Sequence, residues 1–298
     1  MAPRYRILLD TSSLMYRAFF SMPQTVTNEQ GVPVNALHGY LDMNATLVKA
    51  RRPDEVVHVF DDDWRPAPRV AAYAGYKAGR AVDPPGLPEQ FDMLKEVLDA
   101  LGMEQAAAPG WEAEDAIGAI CEKAPKGSRI DVVTGDRDLI QLVRDPAVRV
   151  LFTLRGVSNL LELDEAGVLA KYGVPAARYA EFATLRGDPS DGLPGVRGVG
   201  EKTARMLVNS YPDLRALVRD ATSNGLGSPL LRKPLSLRPA IREAVEYLSI
   251  MEQVVPIRRD VEVVSRQQKR DDARLDELAD RYAIKGPVRR LREALGAR

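Results

Sequence analysis

The sequence has very little of the chemistry on which disulfide scaffolds and zinc sites depend. It contains one cysteine, Cys121, and two histidines, His38 and His58, in 298 residues. One cysteine cannot close an internal disulfide or build a Cys-based zinc site, which excludes both classes of protein. We expect His58, which lies inside an apolar run, to be a satisfied core imidazole and His38 to lie on a helix face rather than to bind metal.

Long apolar stretches are missing as well. The first one ends at Asp10, and no later one approaches the length of a membrane-spanning helix. With 45% hydrophobic residues, the chain can still bury a substantial core. These features predict a soluble cytoplasmic protein that has no signal peptide and no membrane partner.

The sequence has no net charge, because 42 basic residues balance 42 acidic ones. Taken alone, this balance argues against a nucleic-acid partner. If nine of the acidic residues belong to one site, however, 33 remain against 42 cations, and the rest of the molecule carries nine excess positive charges. Such an excess suits a phosphate-rich ligand.

Three apolar, β-prone runs in the first half each lead into an aspartate. They are residues 7–9 before Asp10, 56–60 before Asp61 and 130–133 before Asp136. Residues 37–48 and 91–101 lie between them and have helical spacing, which predicts a parallel sheet with helices on both faces. In such sheets ligands bind outside the carboxyl ends of the strands, where these aspartates should lie.

The second half of the chain has a different pattern. A further strand is expected at residues 148–152, but from Asp164 onward the pattern is mainly helical. Residues 221–234 carry turn formers without periodicity and predict a mobile loop, after which helices are expected at 239–251 and 272–295. We therefore divide the chain into an α/β portion, residues 1–160, and a helical portion, residues 161–298.

Six more acidic residues lie in three short groups. Glu112, Glu114 and Asp115 fall in the first turn of a predicted helix, Asp138 follows Asp136 closely, and Asp188 and Asp191 share a loop. Each group has a plain structural alternative: acids in a first turn complement the helix dipole, and aspartates in turns bind their own backbone. The number of groups favours a shared site.

Clustered carboxylates without Cys or His favour hard cations, which points to Mg²⁺ or Mn²⁺. A pair of such ions about 3.5–4 Å apart is suited to water activation and in-line displacement at phosphorus. Within the motif VVTGDRDLIQLV, we expect Gly135 to allow the sharp turn that presents Asp136 and Asp138. Arg137 should point away, because a cation among the ligands would compete with the metal.

Two other segments suit a nucleic-acid backbone. Residues 62–80 interleave four cations with Trp64, Tyr73 and Tyr76, a combination typical of single-strand binding, although a solvated loop is an equal alternative. Residues 193–205 form a glycine-rich helix-hairpin-helix pattern, whose backbone amides would bind phosphate. There Lys202 is the expected phosphate contact, and a plain helix-loop-helix is the alternative.

Taken together, these motifs resemble the 5′-nuclease family, which comprises the flap endonucleases and the 5′-3′ exonuclease domain of bacterial DNA polymerase I. The resemblance runs over nearly the whole chain, through Asp10, the FD at Phe60 and Asp61, and the segments YAGYKAGR, GWEAEDAI, TGDRDLIQL and LRGDPSDGLPGVRGVGEKTA. It implies a PIN-like catalytic domain in residues 1–160 with a helical arch at about 62–90. It also implies a DNA-binding portion in residues 161–298 with a helix-hairpin-helix at about 180–210.

The resemblance implies a role for each matching residue. Metal ligation by two or three Mg²⁺ or Mn²⁺ ions would fall to Asp10, Asp61, Glu112, Glu114, Asp115, Asp136, Asp138, Asp188 and Asp191. Catalytic contacts to the scissile region would come from Lys77, Arg80 and Arg17. DNA binding would involve Tyr76 under the arch and, in a hairpin that also holds K⁺, Gly195, Val196, Gly198, Gly200 and Lys202.

The implied activity is metal-dependent 5′-3′ exonuclease and 5′-flap endonuclease cleavage near single-strand/double-strand junctions. The expected partners are branched or nicked DNA with a 5′ flap and RNA-DNA primer junctions, acted on by a free-standing, nucleoid-associated bacterial monomer in replication and repair. Glu114 departs from the aspartate usual in polymerase-domain relatives, which leaves the metal count open. Two alternatives are a PIN-type RNA nuclease and a catalytically silent scaffold that binds branched DNA.

Overall fold

The computed structural model describes residues 4–154, 156–225, 227–232 and 235–296. Its centre is a seven-stranded sheet. The strands are β1 (Tyr5–Asp10), β2 (Glu55–Val59), β3 (Glu104–Ala107), β4 (Arg129–Thr134), β5 (Val148–Thr153), β6 (Leu160–Leu163) and β7 (Val264–Arg266). They are arranged in the order β6-β5-β4-β1-β2-β3-β7.

The three predicted aspartate-bearing strands are neighbours at the middle of this sheet. Strand β1 pairs in parallel with β2 on one side and with β4 on the other, and β3 and β5 continue the parallel arrangement outward. All five parallel strands therefore end at one edge. The predicted α/β architecture with a parallel central sheet is confirmed.

Helices cover both faces of the sheet and make up most of the second half of the chain. They are α1 (Thr11–Ser21), α2 (Asn35–Arg51), α3 (Ala67–Ala72), α4 (Leu87–Leu101), α5 (Ala113–Glu122), α6 (Glu165–Tyr172), α7 (Tyr179–Arg186), α8 (Glu201–Ser210), α9 (Leu214–Thr222), α10 (Leu237–Glu243), α11 (Val245–Val254), α12 (Asp272–Arg281) and α13 (Lys285–Gly296). Short 3₁₀ helices lie at Asp138–Leu142, Ala176–Arg178, Pro189–Asp191 and Pro229–Arg232. The predicted helical character of the second half is confirmed.

The apolar core lies on both sides of the sheet, which explains why its strands are continuously apolar. On β1, Ile7 and Leu9 pack toward the face covered by α1, α2 and α4, whereas Leu8 packs toward the face covered by α5. His58 is fully buried, and its Nδ1 lies 2.7 Å from the Tyr40 hydroxyl. The prediction of a satisfied core imidazole is confirmed.

Three short strands were not predicted, and the chain does not stay in the helical portion to its end. β3 and β6 have four residues each, and β7 has three exposed ones, so none carries a readable hydrophobic period. β7 adds to β3 in antiparallel orientation, and α13 then packs against α2, where Arg290 pairs with Asp42 at 2.7 Å. The last part of the chain thus returns to the α/β portion.

The predicted mobile loop at 221–234 lies partly outside the described residues, because 226, 233 and 234 are not among them. In its described part, the carbonyl oxygens of Ala221 and Ser223 accept hydrogen bonds from Arg238 at 2.9 and 2.7 Å. Within the described ranges, no helix combines the length and apolar character needed to cross a bilayer.

Candidate metal centre

The ends of the three central strands bring Asp10, Asp61 and Asp136 to one edge of the sheet. Asp10 is the last residue of β1, Asp61 lies two residues after the end of β2, and Asp136 follows β4 across the turn at Gly135. The negative charges of Asp61 and Asp136 both act on the Asp10 carboxyl, so the three groups lie within electrostatic reach of one another. Parallel pairing alone accounts for this convergence.

Several of these aspartates use one oxygen to fix themselves to the backbone. The Oδ1 acceptors and their amide donors are Asp10 with Ser13 at 3.2 Å, Asp61 with Ala113 at 2.7 Å, Asp136 with Asp138 at 2.9 Å and Asp188 with Ser190 at 3.0 Å. These are the helix-cap and turn interactions that the sequence offered as alternatives to metal binding. The second oxygen of Asp10 also accepts a hydrogen bond, from Thr134 Oγ1 at 2.6 Å. Because each carboxylate oxygen has two lone pairs, these hydrogen bonds and a metal bond can coexist.

The first turn of α5 carries the densest acidic group. Carboxylate oxygens of Glu112, Glu114 and Asp115 lie within 4.8 Å of one another, which no other set of three acidic, His or Cys side chains does among the described residues. Glu112 and Asp115 are buried, and Glu114 is 9% exposed. The helix start at which the sequence placed these acids therefore brings all three into one group.

The remaining acids come from both portions of the chain, Asp138 from the α/β portion and Asp188 and Asp191 from the helical portion. Asp138 opens the 3₁₀ helix after β4, and Asp188 and Asp191 lie in and beside the 3₁₀ helix that follows α7. Burial, and then the charges of Asp136, Asp191 and Asp188, hold the pKa of Asp138 well above its usual range. The two portions of the chain therefore contribute to one electrostatic site.

The site carries more negative charge than its own cations neutralise. Burial, together with Asp61 and Asp136, raises the pKa of Asp10 to about 7, and burial also raises the pKa of Asp191 to about 6. The pKa of Glu114 is raised by burial and by Glu112. Oxygen ligands of this density, without nitrogen or sulfur, fit a hard divalent cation, which would relieve the repulsion.

A buried arginine that the sequence did not single out lies inside the α5 group. Arg69 on α3 is 1% exposed, and its Nη1 and Nη2 bind Asp115 in a bidentate pair at 2.9 and 2.8 Å. Its Nη1 also pairs with Glu114 at 3.0 Å and with Glu112. One guanidinium thus contacts three predicted metal ligands. Its place between two prolines and an alanine-rich turn gave no signal of this role.

Lys77 and Tyr76 also contact this group and are more buried than expected. The Lys77 ammonium pairs with Glu112, and the Tyr76 hydroxyl donates to Glu112 at 2.7 Å. The two side chains are 4% and 2% exposed. Burial alone would lower the pKa of Lys77, but Glu112, Glu114 and Asp191 raise it, so the amine stays charged. In this conformation the Tyr76 ring cannot stack on a base, and its predicted DNA contact requires the segment to move.

The other two predicted catalytic cations differ in exposure. Arg80 is exposed, with its guanidinium 5.9 Å from the Trp64 ring. Arg17 is half-buried on α1 and donates to the Leu154 carbonyl at 3.2 Å. It lies beside Gly135, where an added Cβ would be 3.2 Å from Arg17 Nη2. Among the described residues, the ion pairs of Glu112, Glu114 and Asp115 are thus made by Arg69 and Lys77 and not by Arg80 or Arg17.

Gly135 is required for close packing rather than for an unusual turn. Its φ is not in the left-handed region, but a Cβ there would lie 3.0 Å from Ser13 Oγ and 3.1 Å from Thr153 Oγ1. Gly135 does lie at a bend between β4 and Asp136, as predicted, and what it provides there is space beside Ser13 and Thr153 rather than an unusual backbone conformation. Arg137 is exposed, as expected of a cation that must stay outside the ligand set.

The predicted hairpin joins α7 to α8 on the helical side of the site. Gly198, Gly200 and Lys202 are exposed, and the first turn of α8 has no side-chain cap. Val196 is buried, and its amide donates to the Leu185 carbonyl at 2.9 Å. Gly195 has φ of +68° and packs against Arg186 and Gly187. These features leave backbone donors and one lysine facing solvent.

Comparison with known proteins gives matches along almost the whole chain. Residues 6–173 match the family described as 5′-3′ exonuclease, N-terminal resolvase-like domain, and residues 174–278 match 5′-3′ exonuclease, C-terminal SAM fold. A 5′-3′ exonuclease of Streptomyces coelicolor is 41% identical over 308 positions, covering 98% of this chain and 100% of the relative. One of Mycobacterium tuberculosis is 38% identical, covering 97% of each.

The fold is also found among solved structures. A crystal structure of a bacteriophage T5 flap endonuclease with DNA and metal ions aligns with a TM-score of 0.64 at 17% identity, covering 98% of each chain. At this identity the likeness is one of fold.

Proposed function

Because the chain belongs to the 5′-3′ exonuclease family, we propose that it is a metal-dependent, structure-specific 5′ nuclease. It hydrolyses phosphodiesters of DNA near junctions between single and double strands. The predicted family and class of enzyme are confirmed. The observation that carries the proposal is the convergence of Asp10, Asp61 and Asp136 at the shared end of three adjacent parallel strands.

The proposed cofactors are two or three Mg²⁺ or Mn²⁺ ions. The donor set fits them, because the site offers only carboxylates, and burial together with neighbouring like charges raises the pKa values of Asp10 and Asp138. The residues that would hold the ions are the nine predicted ligands, with Asp115 already occupied by Arg69 in this conformation. When bound, divalent ions supply water activation and charge neutralisation at a phosphate.

The chain's own cations would orient the scissile phosphate. Arg80 and Arg17 are not engaged with the acidic group, so we assign them phosphate contacts on either side of the carboxylate edge. Lys77 pairs with Glu112 and would release it when the metal arrives, adding a third positive charge near the reacting phosphate. Cations beside the reacting phosphate stabilise the negative charge that develops on its oxygens.

The hairpin would bind the downstream duplex. Exposed Gly198, Gly200 and Lys202 offer backbone amides and one ammonium to phosphates, and carbonyl oxygens of the same loop would hold a K⁺ ion. Such contacts position a duplex without reading its sequence. We also propose that a 5′ strand passes beneath residues 62–90.

In cells this activity would remove 5′ flaps and RNA primers during DNA replication and repair. The proposed partners are branched or nicked DNA and RNA-DNA primer junctions, and the proposed state is a cytoplasmic, nucleoid-associated monomer. The two relatives described above come from bacteria, which agrees with this setting.

The test is cleavage of end-labelled substrates with Mg²⁺, Mn²⁺ or a chelator. We expect cuts near the junction of a 5′-flap duplex and exonuclease products from a nick, with no cleavage in chelator and little on a 3′ flap. Preference for single-stranded RNA would favour a PIN-type RNA nuclease instead. Binding of branched DNA without cleavage in either metal would favour a silent scaffold.

A further inference from the structure

Residues 255–261 follow α11 and cross from the helical portion onto the acidic side of the sheet. We call them the C-terminal strap. We propose that the strap positions two separate groups of the predicted metal ligands, the α5 group and the Asp136/Asp138 turn, and that Gln141 is the positioning residue that attaches it to the second group. This inference rests on the proposed function, because it assigns the strap a role in the nuclease site.

Gln141 attaches the strap to the 3₁₀ helix that begins at Asp138. Its Oε1 accepts from the Ile257 amide at 3.0 Å, and its Nε2 donates to the Val255 carbonyl at 3.3 Å. Arg259 in turn donates to the Gln141 carbonyl at 3.0 Å. The Gln141 side chain is 6% exposed, so losing these partners would leave buried polar groups unpaired.

The strap is attached to α5 by a second set of contacts. The Arg258 amide donates to Asp115 Oδ1 at 2.8 Å, and Lys123 Nζ donates to the Val261 carbonyl at 3.2 Å. Gly118 permits the approach, because a Cβ there would lie 2.6 Å from Ile257 Cγ2 and 2.7 Å from the Arg258 carbonyl oxygen. The strap therefore bonds directly to one predicted ligand.

By these two attachments, the strap can hold the two groups of predicted ligands at a set distance from each other. The α5 group and the Asp136/Asp138 turn follow different strands, β3 and β4, and their like charges repel one another. The strap is buried at Val255, Ile257 and Val261 and hydrogen-bonds to Asp115 on one side and to Gln141, in the 3₁₀ helix that begins at Asp138, on the other, so it restrains the separation of the two groups. Groups that orient metal ligands by hydrogen bonds typically change metal affinity or activity by about 10- to 100-fold when they are removed.

The test compares Gln141→Leu with a matched control, Gln105→Leu. Gln105 is 4% exposed and also links a buried amide to the returning chain, since Arg266 of β7 donates to its Oε1 at 3.1 Å, but it lies on β3 away from the attachments described above. Mn²⁺ binding is measured by electron paramagnetic resonance, together with kcat and KM on a 5′-flap duplex and stability in urea.

We expect Gln141→Leu to weaken Mn²⁺ binding by about tenfold or more and to lower kcat more than it raises KM. Gln105→Leu should lose similar stability while retaining wild-type Mn²⁺ affinity and kcat. Equal Mn²⁺ affinity in the two variants would overturn the proposal. If the wild-type protein binds Mn²⁺ but does not cut the flap, the proposed function fails, while the difference in Mn²⁺ affinity still tests the strap.

Gly118→Ala perturbs the strap from the α5 side and serves if Gln141→Leu does not fold. Alanine normally stabilises a helix interior relative to glycine. Here its methyl group would displace the strap, so Mn²⁺ affinity should fall by about tenfold although the helix itself gains propensity. Unchanged Mn²⁺ affinity in Gly118→Ala would contradict the proposed role.

Discussion

At the scale of single residues, Arg69 has the largest structural consequence. It is buried and pairs with three carboxylates, those of Glu112, Glu114 and Asp115. We expect Arg69→Met to destabilise the metal-free protein by about 3–5 kcal/mol, since removing one partner leaves buried charge without compensation. Urea unfolding in chelator measures this loss.

A suitable control for Arg69→Met is Arg65→Met in the same segment. Arg65 donates to the carbonyl oxygens of Tyr76 and Ala74 at 2.7 and 2.8 Å but has no carboxylate partner among those contacts. Saturating Mn²⁺ should recover part of the stability lost in Arg69→Met and none of that lost in Arg65→Met. Equal losses with no Mn²⁺ effect would show that Arg69 does not act through the acidic group.

The raised pKa of Asp10 predicts how the stability of the metal-free protein changes with pH. Its pKa is raised from 3.8 to about 7 by burial and by neighbouring carboxylates, so the folded state holds this proton more tightly than the unfolded state does. The resulting stability is fully present below about pH 4 and is lost as pH rises through about 7. In chelator, the urea midpoint of the wild type should therefore fall relative to that of Asp10→Asn as pH rises from 5 to 8, because asparagine does not titrate. A difference that does not change with pH would contradict this assignment.

The candidate carboxylates carry the clearest local signals in the sequence, and their role as metal ligands stays a prediction. Runs of apolar residues ending in aspartate, and acids spaced on one helix turn, are local signals, and the carboxylates they mark lie in one electrostatic basin. Arg69 and Gln141 gave no such signal, because their partners are 43 to 46 and 114 to 116 residues away in the chain. Long-range pairing of single polar side chains cannot be read from local spacing.

At the scale of elements, the segment from α3 to α4 lies against the acidic group in a closed arrangement. Lys77 has φ of 51°, donates its amide to the Asp191 carbonyl at 2.9 Å and pairs with Glu112. The alternation of aromatic and basic residues predicted an exposed single-strand contact, but Tyr76 is buried in this arrangement. Whether an aromatic ring faces a base or a carboxylate depends on tertiary packing that composition does not encode.

This arrangement separates the roles of two cations in the segment. Arg80→Ala should raise KM for a 5′-flap duplex with little change in stability, because Arg80 is exposed and outside the acidic group. Lys77→Met should lower both kcat and stability, because it removes a buried partner of Glu112. Thermal unfolding and steady-state cleavage distinguish the two patterns. Identical profiles for both variants would show that the segment is open in solution.

At the scale of the whole molecule, the order of strands was predictable only in part. The sequence indicated parallel strands with both faces covered, and β4, β1 and β2 form the centre as that pattern requires. Edge strands β6 and β7 are short and antiparallel, and the return of α12 and α13 to the α/β portion depends on contacts with α2 and α4. The packing of these last helices depends on complementary surfaces that are distant in the chain, and the local spacing of apolar residues does not reveal it.

Duplex binding by the hairpin is also a property of the assembled molecule. Lys202 is exposed at the start of α8, and one phosphate contact should account for about one unit of the slope of log affinity against log salt. We expect Lys202→Ala to weaken binding of any duplex sequence equally and to reduce that slope by about 1. Binding titrations at several KCl concentrations measure it, with Lys49→Ala on α2 as control. An unchanged slope would show that Lys202 does not contact a phosphate of the duplex.

The central claim is that carboxylates at the ends of parallel strands make this chain a 5′ nuclease. Its most direct test is Mg²⁺-dependent cleavage of a 5′-end-labelled flap by Asp136→Asn beside Arg137→Gln. We predict that Asp136→Asn loses about 100-fold or more in rate, since each 1.4 kcal/mol of lost stabilisation costs about tenfold, while its fold is retained. Arg137→Gln should keep activity within about tenfold, because its side chain is exposed and lies outside the ligand set. Full cleavage by Asp136→Asn in Mg²⁺ would contradict the account.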